Sequence, residues 1–580
     1  MGIRGVVRSS VWPAVFAAAS LAGCTLDSEP TRMCGTLDLT FEQTRSFEHD
    51  APTVVALSHV DGGGAGRILV VRSCEQPGEC EAELVSQSIG PNVIPDQLLL
   101  TASGRWLTYR IGPNLFRLDL EAPDPAPIGG PGGVHELVGS LRGGDWLIYR
   151  TWGQDAFASD DTPPVHESEL WAYYVGEPPL DEDGRPEARP HFRIGQGDFD
   201  LRVAAMGHRH VVARRILGNG EEELYLVRIA PARRHDKLGS SSRGKPLLLA
   251  RGKRFTRVLI QSGPSPAERG DPWEFEHDVP IDVRVIATAG EGPSARTLIY
   301  AVADATQIAN FEGAVVSSPI PLQDIAGLSP VSPSGTHLAY ITPRGSLALR
   351  DLESQDACMV RPATAARHVL AGFAADATLY FESLERGRSQ INGAVGPNAE
   401  IVYAYDPKTE ELTALTDDRH TWRLNAVPPR RYETEDGRLI PWAVVAIDGY
   451  YAARPHTRPQ PLFYDSVSFL PRGDESLWLI EGEKGRSFDE PNRLTVRRVQ
   501  PGISGDDDLL GFDIEAADPT VLDNGVLRDR FTRTYSGKAS VCVSTSQSAS
   551  RTTPWATSCS TPERPTGYLN SGLPQGEQRD

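Results

Sequence analysis

The sequence predicts an all-β chain, a β-propeller of about seven or eight blades over residues 50–530, with tandem β-sandwich domains as the structural alternative. Three observations predict it. Helical periodicity is nearly absent; short runs rich in Val, Leu, Trp and Tyr alternate with turns bearing Gly, Pro and Asp; and the strand-turn-strand cadence returns at a spacing of roughly 50 residues. The chain has 580 residues, and 58 Lys+Arg against 77 Asp+Glu give a net charge of −19 with 39% hydrophobic residues. That apolar content excludes a wholly disordered chain, and the acidic balance excludes nucleic acid as a partner held by a global basic field. Only six lysines occur, so nearly all the positive charge is arginine, which we read as codon bias rather than as a binding signal.

In chain order, Arg4 and Arg8 form a positive start, and Val11 to Ala19 is an apolar run interrupted only by Pro13. The run is shorter than the roughly 20 residues that span a bilayer, so it reads as an export signal. Leu21-Ala22-Gly23-Cys24 follows at once and resembles the lipobox of bacterial lipoproteins. The resemblance implies cleavage before Cys24, acylation of that cysteine, and retention on a membrane by several acyl chains. Thr25 is not aspartate, which by the same resemblance favours the outer membrane. Residues 1–23 are then the signal peptide, and 24–49 a lipidated tether that offers one strand to the first or last blade.

The strands begin with Val54 to Val71 and continue at Leu98 to Leu120, Glu136 to Tyr174, Leu201 to Arg228, Val258 to Val302, Ile325 to Arg350, Val369 to Tyr405 and Ser466 to Arg498. Polar insertions at 152–168, 179–197, 231–247 and 262–279 interrupt them. From 531 to 580 the chain is dense in Ser, Thr, Pro and Gly, and composition predicts a mostly disordered tail. Radial repetition buries both faces of such sheets and limits their exposed edges.

One run resembles a known repeat. Ser332-Pro333-Ser334-Gly335-Thr336-His337-Leu338-Ala339-Tyr340 is similar to the S-P-D-G-x-x-[IL]-[AV]-[FY] signature of TolB-type propellers, with Ser334 where aspartate is usual. Thr101 to Tyr109 is a weaker copy, and Val402 to Leu412 resembles the outer hairpin of a blade, turning at Asp406-Pro407. Glu433 to Val445 resembles the leading strand of the hydrolase domain in prolyl-oligopeptidase-like peptidases. No serine elbow or oxyanion segment follows it, so we read an Asp436-Gly437 hairpin there.

Without Cys24, the cysteines are Cys34, Cys74, Cys80, Cys358, Cys542 and Cys559, an even number in an oxidising compartment. Cys74 and Cys80 bracket a Pro-Gly turn, Cys542 and Cys559 close a tail loop, and Cys34 is left with Cys358, although six cysteines formally allow 15 pairings. Metal binding is the weaker use, because no C-x2-C pair or clustered histidine accompanies them. Asp181-Glu182-Asp183-Gly184 fails a calcium register at Pro179 and Pro190, and Asp506-Asp507-Asp508 splays its carboxylates. His208 and His210 share one face if they lie on a strand, but no third ligand can be named. Trp106, Tyr109, Trp146, Tyr149, Trp171, Tyr340 and Trp478 alternate as blade packing would require, and less as a glycan platform would.

No metal or cofactor is expected. No G-x-S-x-G, H-E-x-x-H, Walker A or haem motif occurs. The expected function is a non-catalytic envelope scaffold, anchored at Cys24, that binds a protein or cell-wall partner. The alternative is a propeller hydrolase of lactonase or glycosidase type with its site in the central channel.

Overall fold

In the computed structural model, the alternating apolar runs pair as antiparallel sheets in chain order. The structure describes residues 29–40 and most of the stretch from 54 to 560. Residues 1–28, 41–53 and 561–580 lie outside it, as do long connections such as 153–167, 177–190, 230–245, 264–280 and 514–529, and several turns. Among the described residues there are nine sheets of three or more strands, here called blades one to nine.

Blade one joins both ends of the chain. Glu83–Leu84, Gly66–Arg72 and Val54–Val60 pair onward to Ser540–Thr545 and Ala556–Ser560. Blades two to five span residues 96–127, 134–194, 202–252 and 255–312; blades six to nine span 337–361, 366–414, 423–463 and 467–535. Each blade packs on the next, and Ala556–Ser560 lies against both Asp96–Leu100 of blade two and Val467–Pro471 of blade nine, which closes the ring. The fold is therefore an all-β propeller.

Two departures from the sequence reading concern the closing strands and the number of blades. Strands occur at Arg530–Tyr535, Ser540–Thr545 and Ala556–Ser560, beyond the boundary placed at 530. Val541 and Val543 alternate with Ser and Cys there, a strand pattern that the Ser/Thr composition masks. The ninth sheet is blade eight, which the cadence missed. Its strands Arg423–Ala426, Ala443–Ala446, Tyr450–Ala453 and Gln460–Phe463 are short, and a hairpin of Tyr432–Glu433 with Leu439–Ile440 splits the first from the second. That hairpin turns at Gly437, whose φ of +77° suits glycine.

Alternation explains why the strands read as near-continuous apolar runs: both faces of a blade are buried. In blade six, Leu338 and Tyr340 pack with Ile286, Ile299 and Phe311 of blade five, while Ala339 and Ile341 pack with Phe373, Leu379 and Phe381 of blade seven. Trp106, Tyr109, Trp146, Tyr149 and Tyr340 are buried in such interfaces.

Blade six has three regular strands, and its outer strand Ala357–Arg361 carries residues 29–40 instead of a further sheet neighbour. Met33 bridges Met359 in parallel, Cys34 N–H donates to Met359 O, and Cys34 is bonded to Cys358. Leu39 is buried with the blade six and seven core. The tether was expected at the first or last blade. It joins blade six because that blade's outer edge is open and Cys358 lies on it.

The order of connections fixes the two faces of the ring. Turns between second and third strands share one face with the links from blade to blade; turns between first and second strands and between third and fourth share the other. We call these the near face and the far face. In blade six Val331, bridged antiparallel to Leu338, stands in the first-strand place, so His337–Ile341 counts as a second strand; the near face then holds 217–221, 290–295, 342–346 and 447–449, and the far face 332–336, 352–356, 374–378 and 454–459.

Candidate functional site

The Ser332-Pro333-Ser334-Gly335 run forms the turn its residues dictate. Gly335, at φ +74°, donates to Ser332 O, and Ser332 Oγ accepts from His337 N–H. Blade seven repeats the turn at Ala374 to Thr378 with degenerate chemistry, Ala377 taking the left-handed position at φ 69°. Asp376 stands where the signature has aspartate and accepts from Arg431 N–H at 2.7 Å, while Arg431 Nη1 donates to Asp406 at 2.7 Å. Blades seven and eight are thus locked on the far face. The signal missed in the sequence was Leu379-Tyr380-Phe381 after that turn.

His208 and His210 do not share a strand face. Residues 207–209 form a turn, His208 is buried, and His210 begins the strand His210–Ile216. Asp282 of blade five gathers them, accepting from the N–H groups of His208, Arg209 and His210 at 2.7, 2.8 and 2.9 Å. This is a structural lock between blades four and five. Among the described residues no group of three or more His, Cys, Asp and Glu is placed to hold a metal.

A second buried cluster sits between blades seven and eight. Arg423 reaches Glu382 at 3.3 Å and Glu400 at 2.8 Å, and Glu382 also accepts from Leu424 N–H at 2.6 Å. Burial pushes the Glu382 carboxyl up to about 7 against the pull of Arg423, and burial raises Glu400 as well. With its side chain 1% exposed, Glu382 offers no free oxygen to a substrate.

An open feature among the described residues is a groove of about 660 Å³ along the outermost strand of blade seven, Glu411–Ala414, lined onward by Asp417 and His420 and across by His456, Thr457 and Arg458 of blade eight. The strand pairs inward with Tyr403 to Asp406. Leu412 lies in the groove and is 44% exposed. At its near end Asp417 accepts from Trp422 Nε1 at 3.1 Å and lies 3.0 Å from His420 Nδ1. Large apolar side chains continue along the same rim. Leu247, Leu248, Ile308 and Leu412 are exposed at the far-face ends of fourth strands, and Leu439 is exposed on the blade eight hairpin.

Of the cysteines, Cys34 and Cys358 are joined. Cys542 and Cys559 stand opposite each other in strand register. Cys24, Cys74, Cys80, Asp181 to Gly184 and Asp506 to Asp508 lie outside the described residues. No described helix is long and apolar enough to cross a membrane.

No protein-family model matches the sequence, and no curated protein does. Solved structures with similar architecture include TolB from Acinetobacter baumannii, at 10% identity over 64% of this chain and 65% of that one, with a TM-score of 0.21. The β-propeller domain of the Trilobed protease from Pyrococcus furiosus matches at 9% identity, 62% and 95% coverage and a TM-score of 0.28. The tricorn protease matches at 9% identity with a TM-score of 0.22, and this chain spans 57% of its length. At such scores the likeness carries no weight; the propeller rests on the sheet order and the closed ring.

Proposed function

We propose that the chain is a non-catalytic envelope scaffold, held at a membrane by acyl chains on Cys24, that grips a protein partner along the far rim of blades four to eight. The exposed apolar rim carries this reading: five of the eight large apolar side chains that stand exposed among the described residues, Leu247, Leu248, Ile308, Leu412 and Leu439, gather there. Exposed apolar groups gathered on one rim mark an interaction surface rather than scattered accidents. The groove supplies the docking mode, since an outermost strand offers free backbone groups to an extended peptide while Leu412 offers an apolar contact.

A propeller hydrolase is the second reading, favoured by the raised Glu382 carboxyl. The Arg423 bridge and the burial of Glu382 count against it.

Cross-linking pull-downs from intact cells test the scaffold. The wild-type chain should recover a stoichiometric protein, and Leu412→Arg with Leu439→Arg should lose most of it at unchanged expression. Undiminished recovery by that double variant sinks the rim as the binding surface, and capture of peptidoglycan fragments instead would replace the protein partner by a cell-wall one.

A further inference from the structure

The N-terminal segment is fixed to the propeller at a defined place, and this has a consequence for how the ring meets a membrane. Glu29 accepts from the hydroxyls of Thr342 and Ser346 and pairs with Arg344 at 3.2 Å, all in the near-face turn 342–346. Beyond it, Cys34 is bonded to Cys358, Leu37 N–H donates to Pro407 O, and Leu39 O accepts from Ser334 N–H on the far face. The segment is therefore strapped across the outer edge of blade six, and it enters the fold on the near face.

We propose that the near face, at its blade six edge, is the surface that lies against the lipid bilayer. The inference rests on the lipid anchor at Cys24 proposed above. Four residues lie between Cys24 and Glu29, and the five chain steps from one to the other reach at most roughly 18 Å when fully extended. The acylated residue cannot pass around the ring to the far face, because the strap holds Glu29 on the near one. The chemistry of the near face suits the contact. Arg344 is 80% exposed on the turn beside Glu29, and Ile216 and Ile447 are exposed at the near-face ends of second strands in blades four and eight. Cations favour anionic headgroups, and isolated apolar side chains enter the interface. The far rim, with Leu247, Ile308, Leu412 and Leu439, then points away from the bilayer and stays open to a partner.

The test uses the full-length acylated protein in phosphatidylethanolamine/phosphatidylglycerol vesicles that contain an acceptor-labelled lipid. A donor fluorophore is introduced as an unnatural amino acid at Asn219 or Glu291 on the near face, or at Ala303 or Ser354 on the far face, all exposed positions. Energy transfer to the lipid should be several-fold stronger from the two near-face positions. Inserting a Gly/Ser linker of about 20 residues between residues 28 and 29 should erase the difference. Equal or reversed transfer from vesicle-bound protein overturns the orientation while leaving the anchor intact, whereas a near-face excess that survives the linker leaves the orientation standing and assigns it to the face's own lipid contacts. Failure of the wild-type protein to float with vesicles, or flotation of Cys24→Ala to the same extent, overturns the anchor and the orientation with it.

Discussion

Asp282 Oδ2 lies 2.9 Å from His210 Nδ1, and the same carboxylate collects three consecutive backbone N–H groups, those of His208, Arg209 and His210. A turn of blade four is thereby held by the second strand of blade five. Burial works to raise the Asp282 pKa, but the hydrogen bond and charge of His210 and the backbone donors outweigh it and hold it below the usual carboxylate value. A depressed folded pKa gives stability that is present above the ordinary carboxylate range and lost as pH falls through it. Asp282→Ala should remove the shared acceptor of one buried and two part-buried backbone N–H groups and cost about 2–4 kcal/mol in urea unfolding at pH 7. A loss below about 1 kcal/mol would mean that the turn holds its shape without the carboxylate.

Glu382 has the opposite sign. Its folded pKa of about 7 is raised above the ordinary glutamate value of 4.5, so the folded state binds the extra proton between those values. Stability then falls as pH rises through that window, by up to about 3 kcal/mol. Glu382→Gln keeps an acceptor for Leu424 N–H, cannot ionise, and should flatten the dependence of melting temperature on pH between pH 5 and 8. Parallel melting curves for variant and wild type across that range would show that the proton is not held there.

What was legible in the sequence was local. The Ser332 to Gly335 turn could be read because glycine, proline and two serines specify it within four residues. The matching turn at Ala374 to Thr378 could not, since Ala377 fills a left-handed position with no glycine to announce it. Blade eight was hidden because its strands are four residues long and an inserted hairpin breaks their spacing. Asp282 lies 74 residues from His208, and the blade seven groove takes its far wall from His456 to Arg458, so neither could be read before the ring was assembled. The closing strands were masked by composition: hydroxyl-bearing residues resemble a linker until Val541 and Val543 find Leu57 and Val55 across the sheet.

The Cys34–Cys358 bridge closes a separation of 324 residues. A cross-link of that span restricts the unfolded chain strongly, and removing it is expected to cost roughly 2–5 kcal/mol. Cys34→Ser with Cys358→Ser should lower the melting temperature and open residues 29–40 to limited proteolysis, while the blades stay resistant. Unchanged cleavage of that segment would show that Glu29, Leu37 and Leu39 hold the strap without the bridge.

Trp442 decides how blades eight and nine adhere. It is fully buried, and its cluster joins Val444, Tyr450 and Leu462 of blade eight to Leu477 and Val499 of blade nine. Its position follows from the inserted hairpin, which returns the chain at Ile440 and delivers Trp442 directly before the second strand. Trp442→Ala should cost about 3–5 kcal/mol, because the indole is lost and its neighbours cannot collapse around the space. Trp442→Phe should recover about half of that. The damage should be local to the seam between blades eight and nine, so hydrogen exchange should quicken in Ala443–Ala446 and Leu477–Glu483 well before it does in blades three to five. Equal acceleration in every blade would show instead that the ring unfolds as one unit and that no single seam limits it.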